Sequence, residues 1–205
     1  QTDKDDKLVV LYASNKDEQH AYIDAAKEKG YEVLFLDSPI VSHLIQKLES
    51  TEENVTFVRV DGDHIDNLIK KDEEQISKLN EDEKKSLTTI LTEIIPKDKF
   101  TVQLEAMDSK ANPFIITQPE FMRRMKEMQQ SGGGGGMFGM GNMPDMYNLV
   151  VNTNNELIGE ILTTKTAKKK ERLVNQALDL ARLSQNLLKG EELTTFIKRS
   201  FDMIK

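Results

Sequence analysis

The stretch KLVVLYASNKDEQHAYIDAAKEKGYEVLFLD, residues Lys7–Asp37, decides the fold of the first part of the chain. It opens with a short apolar run typical of a buried strand. Helix-forming residues follow and stop at Gly30, a residue suited to a helix C-cap. A second apolar run, YEVLFLD, comes directly after. Two strands joined by a helix predict parallel pairing through a right-handed crossover, so the chain begins with a compact α/β unit.

The segments that follow complete this unit. SPIVSHLIQKLES (38–50) predicts a helix with Ser38 as N-cap and Pro39 at the first helical position, and NVTFVRVD (54–61) predicts a third strand. The charged segment 63–85 is predicted to be mostly helical. We therefore expect residues 1–79 to form a small three-layer α/β subdomain with a short parallel sheet, and residues 80–205 to form a second domain.

The second domain combines strands and helices in the pattern of the α+β class. EKKSLTTILTEIIP (83–96) predicts a helix that ends before Pro96. FTVQLEA (100–106), PFIIT (113–117) and YNLVV (147–151) predict strands of one small sheet, and TNNELIGEILTT (153–164) predicts a short helix. The apolar face of the first helix consists of Leu87, Ile90, Leu91, Ile94 and Ile95.

Two amphipathic helices close the chain, the first within 169–190, where Gly190 is expected to end it, and the second within 191–205. Such apolar surface either docks on its own domain or meets a copy of itself, and we favour the copy. In the first helix a second apolar row, Val174, Leu178, Ala181, Leu183 and Leu188, widens the main stripe, and Ser200 lies with the stripe of the second helix. The predicted dimer interface is Leu173, Ala177, Leu180, Ser184, Leu187, Leu188, Leu193, Phe196, Ile197, Phe201 and Ile204.

Composition excludes several classes of function. The chain has 205 residues, a net charge of −7 and no cysteine, which rules out disulfides, zinc–thiolate sites and a cysteine nucleophile. Its apolar runs are shorter than the roughly 18 residues that a membrane span needs. Residues 1–85 carry a charge of −9 (21 acids, 12 bases), and the basic run KTAKKKER (165–172) has no interleaved aromatic residue for base stacking. We expect a cytoplasmic protein that binds neither nucleic acid nor membrane.

No motif indicates a catalytic, nucleotide or metal site. The run Gly132–Gly136 follows a predicted helix and lacks the Lys-Ser/Thr of a P-loop, so a flexible tether is the better interpretation. DGDHID (61–66) lacks the spacing of a calcium loop. His20, His43 and His64 lie on separate elements without a second ligand at helical spacing.

A methionine-rich helix stands apart from these motifs. In QPEFMRRMKEMQQ (118–130), Phe121, Met125 and Met128 fall on one stripe with Met122 beside it, opposite a charged side that includes Arg123. The Gly- and Met-rich segment 131–146 follows and is expected to be a flexible loop. Methionine can repack against differently shaped apolar partners. The residues alone leave two interpretations open, an ordinary core face and a surface that binds partners.

Taken in order, these elements resemble the C-terminal part of the bacterial ninety-kilodalton heat-shock protein chaperones, the HtpG family. KLVVLYASNKDEQHAYIDAAKEKGYEVLFLDSPI resembles the small subdomain that ends the middle domain of that family. FTVQLEAMDSKANPFIITQPEFMRRMKEM resembles the first C-terminal strands and the amphipathic helix after them. YNLVVNTNNELIGEI and LVNQALDLARLSQNLLKGEELTTFIKRSFDMI resemble the last strand and the terminal helix pair.

The resemblance implies a fragment of a stress-response chaperone that assists protein folding. ATP and Mg²⁺ would bind to an N-terminal domain outside this chain, so the fragment itself would need no cofactor and catalyse no reaction. The terminal helices would pair with those of a second copy in an intermolecular four-helix bundle, which gives a homodimer. Phe121, Met122, Met125 and Met128 would contact non-native client proteins in the cleft between protomers.

An enzyme is the alternative interpretation. In open α/β sheets, ligands bind at the carboxyl ends of the strands. In this chain those ends lie near Ala13, Asp37 and Asp61. The strand–helix junction LYASNKDEQ lacks the glycine fingerprint of dinucleotide-binding folds, which counts against this alternative.

Overall fold

The computed structural model describes residues 1–38, 40–70, 75–118, 122–123 and 146–204, and these contain six strands and seven helices. They divide into two compact units. The first unit holds the described residues of 1–74 and 117–147, and the second holds those of 75–116 and 148–205. Contacts thus group the described residues of 117–147 with the first unit. The predicted boundary between residues 79 and 80 stays a prediction.

The first unit is built on a parallel sheet with the strand order β2-β1-β3. The strands are β1 (Leu8–Ala13), β2 (Val33–Phe35) and β3 (Val55–Arg59). Leu11 of β1 pairs with Val33 on one side and with Val58 on the other. This confirms the parallel pairing that the sequence predicts, because α1 (His20–Glu28) and α2 (Val41–Thr51) supply the crossovers. The three-layer arrangement stays a prediction.

Helix α1 ends where the sequence places its stop signal. Gly30 has a φ of +76°, a left-handed conformation that costs glycine little. Its N–H donates to the carbonyl of Lys27, and the N–H of Tyr31 donates to the carbonyl of Ala26. These two bonds form a Schellman motif, which satisfies the last carbonyls of the helix and turns the chain toward β2.

Two details of the predicted first unit are wrong. Helix α2 begins at Val41, with Ile40 in the N-cap position, so Ser38 is not the cap; only its backbone carbonyl accepts the N–H of Val41. The charged segment 63–85 is less helical than predicted. Its described residues are helical in α3 (Ile65–Leu68) and at 81–85, where the next helix begins, but residues 75–80 run without helical structure, and residues 71–74 lie outside the described part.

The second unit has the sheet order β4-β6-β5, with β4 (Phe100–Glu105), β5 (Phe114–Thr117) and β6 (Tyr147–Asn152). This confirms that the three predicted strands share one sheet. Strand β6 lies in the middle, and its consecutive residues Leu149, Val150 and Val151 are all fully buried, as expected for a strand covered on both faces.

Four helices belong to the second unit: α4 (Glu81–Ile94), α5 (Glu156–Thr163), α6 (Ala167–Ser184) and α7 (Gly190–Ile204). A capping box starts α4, in which the Asn80 side chain accepts from the Glu83 N–H and the Glu83 carboxylate accepts from the Asn80 N–H. The predicted apolar face of α4 is confirmed, since Leu87 and Leu91 are buried in it.

The end of α6 corrects the predicted helix boundaries. The helix stops at Ser184 because Asn186 takes a φ of +54°, and a second Schellman motif forms. In it Asn186 donates to the Leu183 carbonyl and Leu187 donates to the Arg182 carbonyl. Leu187 and Leu188 therefore lie in a connecting segment rather than in the helix. Gly190, predicted to end this helix, instead opens α7.

Candidate functional site

Helices α6 and α7 leave part of their apolar surface uncovered within one chain. Helix α6 contacts α4 and α5, and the residues that it buries are Val174, Ala177, Leu178 and Ala181. Most of the second apolar row that widened the predicted stripe is therefore covered by the chain itself. Helix α7 buries Phe196 among its fifteen residues. From the sequence, this apolar surface was expected either to dock on its own domain or to meet a second copy. Within one chain, part of it docks on its own unit.

Five of the six exposed large apolar residues of α6 and α7 form what we call the terminal apolar surface: Leu180, Leu183, Ile197, Phe201 and Ile204. Phe201 is 64% exposed, Ile204 is 81% exposed and Leu180 is 52% exposed. Ile197, Phe201 and Ile204 follow one another at spacings of four and three residues, so they form one stripe along α7. Large apolar side chains grouped in this way are typical of surfaces that contact another protein.

The eleven residues of the predicted dimer interface have three different environments in a single chain. Leu180, Ser184, Ile197, Phe201 and Ile204 are exposed, and Leu173, Leu187 and Leu193 are half-buried. Ala177, Leu188 and Phe196 are buried. Side chains of the last group already have partners in one copy. An interface with a second copy would use the first two groups.

A polar cluster joins α6 to α7 beside the terminal apolar surface. The Asp179 carboxylate accepts from Arg199 Nη2 at 2.7 Å through Oδ2 and from Arg182 Nη1 at 3.0 Å through Oδ1. Arg182 also pairs with Glu192 at the start of α7. The two acids and two arginines come from both helices, so the pattern of one helix alone does not reveal the cluster.

Gln176 extends this cluster toward the end of α7. Its Oε1 accepts from Arg199 Nε at 2.9 Å, and its Nε2 donates to Ser200 Oγ at 2.9 Å. Arg199 Nη2 also lies 3.3 Å from the Asn175 carbonyl. These polar contacts fix how α7 lies along α6. No pattern in the sequence indicated a role for Asp179, Arg182 or Arg199.

The methionine-rich segment is described at Met122 and Arg123, both helical. Arg123 is 4% exposed, and its Nη2 donates to the hydroxyl of Tyr12 in β1 at 2.7 Å. Arg123 belongs to the charged side of the predicted helix, but its guanidinium is not exposed to solvent, because it is buried against the sheet of the first unit. Met122 is half-buried. Phe121, Met125 and Met128 lie outside the described residues.

Two of the three strand ends that the enzyme alternative requires are occupied by contacts within the chain. Gln19 is buried and its Oε1 accepts from the N–H groups of Ser14 and Asn15 at 2.8 and 2.9 Å, which uses backbone donors that a ligand would need. Asp61 forms a two-bond ion pair with Arg59, at 2.6 and 2.8 Å. Ala13 is buried.

Asp37, near the remaining strand end, is exposed. Beside the ion pair, burial raises the pKa of the Tyr22 hydroxyl; the charge of Asp61 raises it further, and that of Arg59 lowers it. Tyr22 is a packed, neutral phenol in this position.

The part of the chain that the structure covers has neither a metal-binding cluster nor a membrane-spanning helix. The described side chains contain no group of three or more histidines and carboxylates arranged to hold a metal ion. None of the described helices has the length and apolar character required to cross a bilayer.

Comparison with known proteins identifies the family. The profile described as "Hsp90 protein" matches residues 4–205. The chaperone protein HtpG of Bacteroides fragilis (strain 638R) is 34% identical over 271 aligned positions, which cover 100% of this chain and 40% of that protein. HtpG of Bacteroides thetaiotaomicron shows the same identity and coverage. HtpG of Porphyromonas gingivalis (strain ATCC 33277) is 40% identical over 166 positions, or 80% of this chain and 24% of that protein.

This fold and these matches define the class of the heat-shock chaperones, which the resemblance in the sequence also indicated. The chain belongs to the Hsp90 protein family, and its matched relatives are HtpG chaperones. It spans about 40% of the length of the Bacteroides relatives that it matches in full.

Proposed function

We propose that this chain is the self-associating, client-binding part of an ATP-dependent molecular chaperone. The observation that carries the proposal is the terminal apolar surface on α6 and α7, which one chain leaves uncovered. Membership of the Hsp90 family supplies the chaperone context. Under this proposal the nucleotide and its Mg²⁺ bind elsewhere in the parent protein, and the described part acts through contacts rather than catalysis.

Self-association places the helix pairs of two copies against each other. In a two-fold symmetric dimer the same patch serves both partners, so every contact between different residues occurs twice. Fully burying a side chain such as Phe201 or Leu180 contributes about 1.5–3 kcal/mol relative to leaving it in water. Four helices meeting through such stripes form the four-helix bundle expected from the sequence.

The test of self-association is the molar mass in solution. Light scattering over a dilution series should give twice the chain mass at tens of micromolar, and Phe201→Glu should shift the molecule toward the monomer because it buries an unpaired carboxylate in the interface. Thr195→Glu is the matched control, since Thr195 is exposed on another side of α7 and should leave the mass unchanged. A wild-type protein that is monomeric across this range excludes the proposed dimer.

Client binding is proposed for Phe121, Met122, Met125 and Met128, and the contact of Arg123 supports it. The sequence predicts a helix through this segment, and a helix turns about 100° per residue. On such a helix Phe121, Met125 and Met128 lie roughly 140–160° around from Arg123. Because Arg123 is buried against Tyr12, a helix through this segment would direct the methionine stripe away from the sheet of the first unit.

The test of client binding uses the complete parent protein. Met125→Glu together with Met128→Glu should weaken suppression of the aggregation of a denatured client protein while the dimer mass stays unchanged. Ile76→Glu is the control, because Ile76 is an isolated apolar side chain that is 87% exposed, and its replacement should have no effect. Unchanged aggregation suppression by the double variant would remove the methionine stripe from the proposal.

A further inference from the structure

The polar cluster between α6 and α7 carries an inference that rests on the proposed self-association and goes beyond it. Asp179 lies at its centre, with Arg182 of its own helix on one oxygen and Arg199 of α7 on the other. All three side chains are largely shielded, at 14% exposure for Asp179 and Arg182 and 22% for Arg199. Partial burial weakens screening by solvent, so these contacts are stronger than ordinary surface ion pairs.

The cluster gives the helix pair a directional fit that apolar packing alone lacks. The guanidinium of Arg199 is a planar fork whose nitrogens bind Asp179, Gln176 and the Asn175 carbonyl at once. A rigid fork held by three acceptors on one helix fixes both the rotation and the position of the other helix. Apolar side chains tolerate sliding, because the energy of burying them has little dependence on direction.

The members of the cluster are direct neighbours of the terminal apolar surface. Asp179 precedes Leu180 on α6, and Arg199 and Ser200 precede Phe201 on α7. Fixing the rotation of each helix through the polar residue therefore also fixes where the next, apolar residue points. In one chain Phe196 is the buried apolar residue of α7, so the polar contacts carry much of the orientation of that helix.

We infer that Asp179, Arg182 and Arg199 are positioning residues for self-association. They hold α7 against α6 in one protomer so that the apolar stripes of the two helices form one preorganised surface. A second copy of this chain then binds without first paying the entropy of aligning the helices, and preorganisation of this kind tightens association without adding a contact.

The first test is a double-mutant cycle on the dimer dissociation constant. Asp179→Ala and Arg199→Ala should each raise it about tenfold, which corresponds to 1.4 kcal/mol. The double variant should raise the dissociation constant by about the same tenfold as each single variant, since both changes break the same cluster. Glu160→Ala is the control, because it removes the exposed Lys169–Glu160 ion pair on the opposite end of α6 and should change the constant less than twofold.

The second test measures helix positions within one protomer. The sequence contains no cysteine, so introduced cysteines are the only sites that a thiol-reactive spin label modifies. Labels can be attached at Arg172→Cys on α6 and Thr195→Cys on α7, both exposed and outside the cluster. Labelled protein diluted into an excess of unlabelled protein reports the distance within a single chain. The distance distribution should be narrow in the wild type and should broaden in Asp179→Ala. If that variant loses helicity in far-ultraviolet circular dichroism, Arg199→Lys decides instead, since it keeps the charge and loses the fork.

Each outcome has a definite meaning. Weaker association with a broadened distance distribution supports the positioning role. If the wild type is dimeric and the variants associate as tightly as it does, the positioning role is overturned. Variants that associate more weakly but keep the distance distribution of the wild type also overturn it, because the cluster would then be part of the interface itself. A monomeric wild type overturns the proposed self-association and this inference with it.

Discussion

Asn152 shows how single polar residues hold the second unit together. Its side chain is fully buried at the end of β6, and all of its bonding groups are used. The Oδ1 accepts from the N–H groups of Met107 at 3.2 Å and Asn154 at 3.1 Å, and the Nδ2 donates to the carbonyls of Asp108 at 2.8 Å and Ala111 at 3.3 Å. One amide thus closes the loop between β4 and β5.

Replacing Asn152 should lower the free energy of unfolding substantially. Asn152→Ala leaves two buried N–H groups and two carbonyls without these partners, and each unsatisfied buried group costs about 1–3 kcal/mol. We expect the free energy of unfolding, measured by urea titration, to fall by about 2–4 kcal/mol. Asn54→Ala is the control, because its side chain makes one exposed bond to the Asp6 carbonyl. A loss as small as that of the control would contradict the structural role given to Asn152.

Tyr22 makes the stability of the first unit fall at alkaline pH. Its pKa is raised by burial and then by the charge of Asp61, while Arg59 lowers it. The unfolded phenol has a pKa near 10. Below that pH both states keep the proton; above it the unfolded state loses the proton first, so stability falls as pH rises.

Tyr22→Phe should therefore flatten the alkaline limb of the stability curve. Above about pH 10 the wild type should lose up to about 1.4 kcal/mol per pH unit more than the variant. The measurement is urea unfolding between pH 8 and 11 for both proteins. Parallel curves for the two would show that Tyr22 ionises in the folded state.

At the scale of elements, the end of α6 depends on a backbone conformation that most residues avoid. Asn186 has a φ of +54° and closes the Schellman motif between α6 and the segment leading to α7. Asparagine tolerates the left-handed region better than most residues with a Cβ, and glycine tolerates it best.

Substitution at Asn186 should therefore change stability in both directions. Asn186→Gly should keep or raise the free energy of unfolding by a few tenths of a kcal/mol, and Asn186→Ala should lower it by about 1 kcal/mol. Thermal unfolding by circular dichroism gives both values on the same protein. If Ala and Gly proved equally stable, the positive φ would not be what ends this helix.

At the scale of the whole molecule, the proposed dimer links stability to concentration. Association that favours the folded state raises the unfolding midpoint by mass action. We expect the midpoint temperature of the wild type to rise as protein concentration increases from 1 to 100 µM, on the order of several degrees. Leu180→Glu should remove this dependence, since it places a charge in the terminal apolar surface. A wild-type midpoint that is constant over this range would count against a folded-state dimer.

Much of this architecture can be read from the sequence because it depends on local signals. The alternation of apolar runs and helical stretches predicted the parallel sheet, and Gly30 marked the end of α1. The apolar spacing of Leu87 and Leu91 predicted the buried face of α4. The family was also predictable, since the order of the elements resembles that of the HtpG chaperones and the Hsp90 profile matches the chain.

Two departures from the sequence prediction share a physical cause, because each depends on residues far apart in the chain. The segment before α4 has helix-forming composition, yet residues 76–78 bind Asn154: the Ile76 carbonyl accepts from its Nδ2 at 3.1 Å, and the Lys78 N–H donates to its Oδ1 at 2.8 Å. These long-range bonds hold the segment out of a helix. The sequence alone suggests a surface position for Arg123, but its guanidinium donates a hydrogen bond to Tyr12, which lies 111 positions away in the chain.

The sequence by itself determined the elements, the parallel sheet, the family and the amphipathic character of the terminal helices, since periodicity and capping act over a few residues. The tertiary structure alone decided which apolar residues stay exposed. Val174, Leu178 and Ala181 are covered by their own unit, whereas Leu180, Phe201 and Ile204 are not. Burial depends on what packs against a residue in space, and one helix does not specify its neighbours.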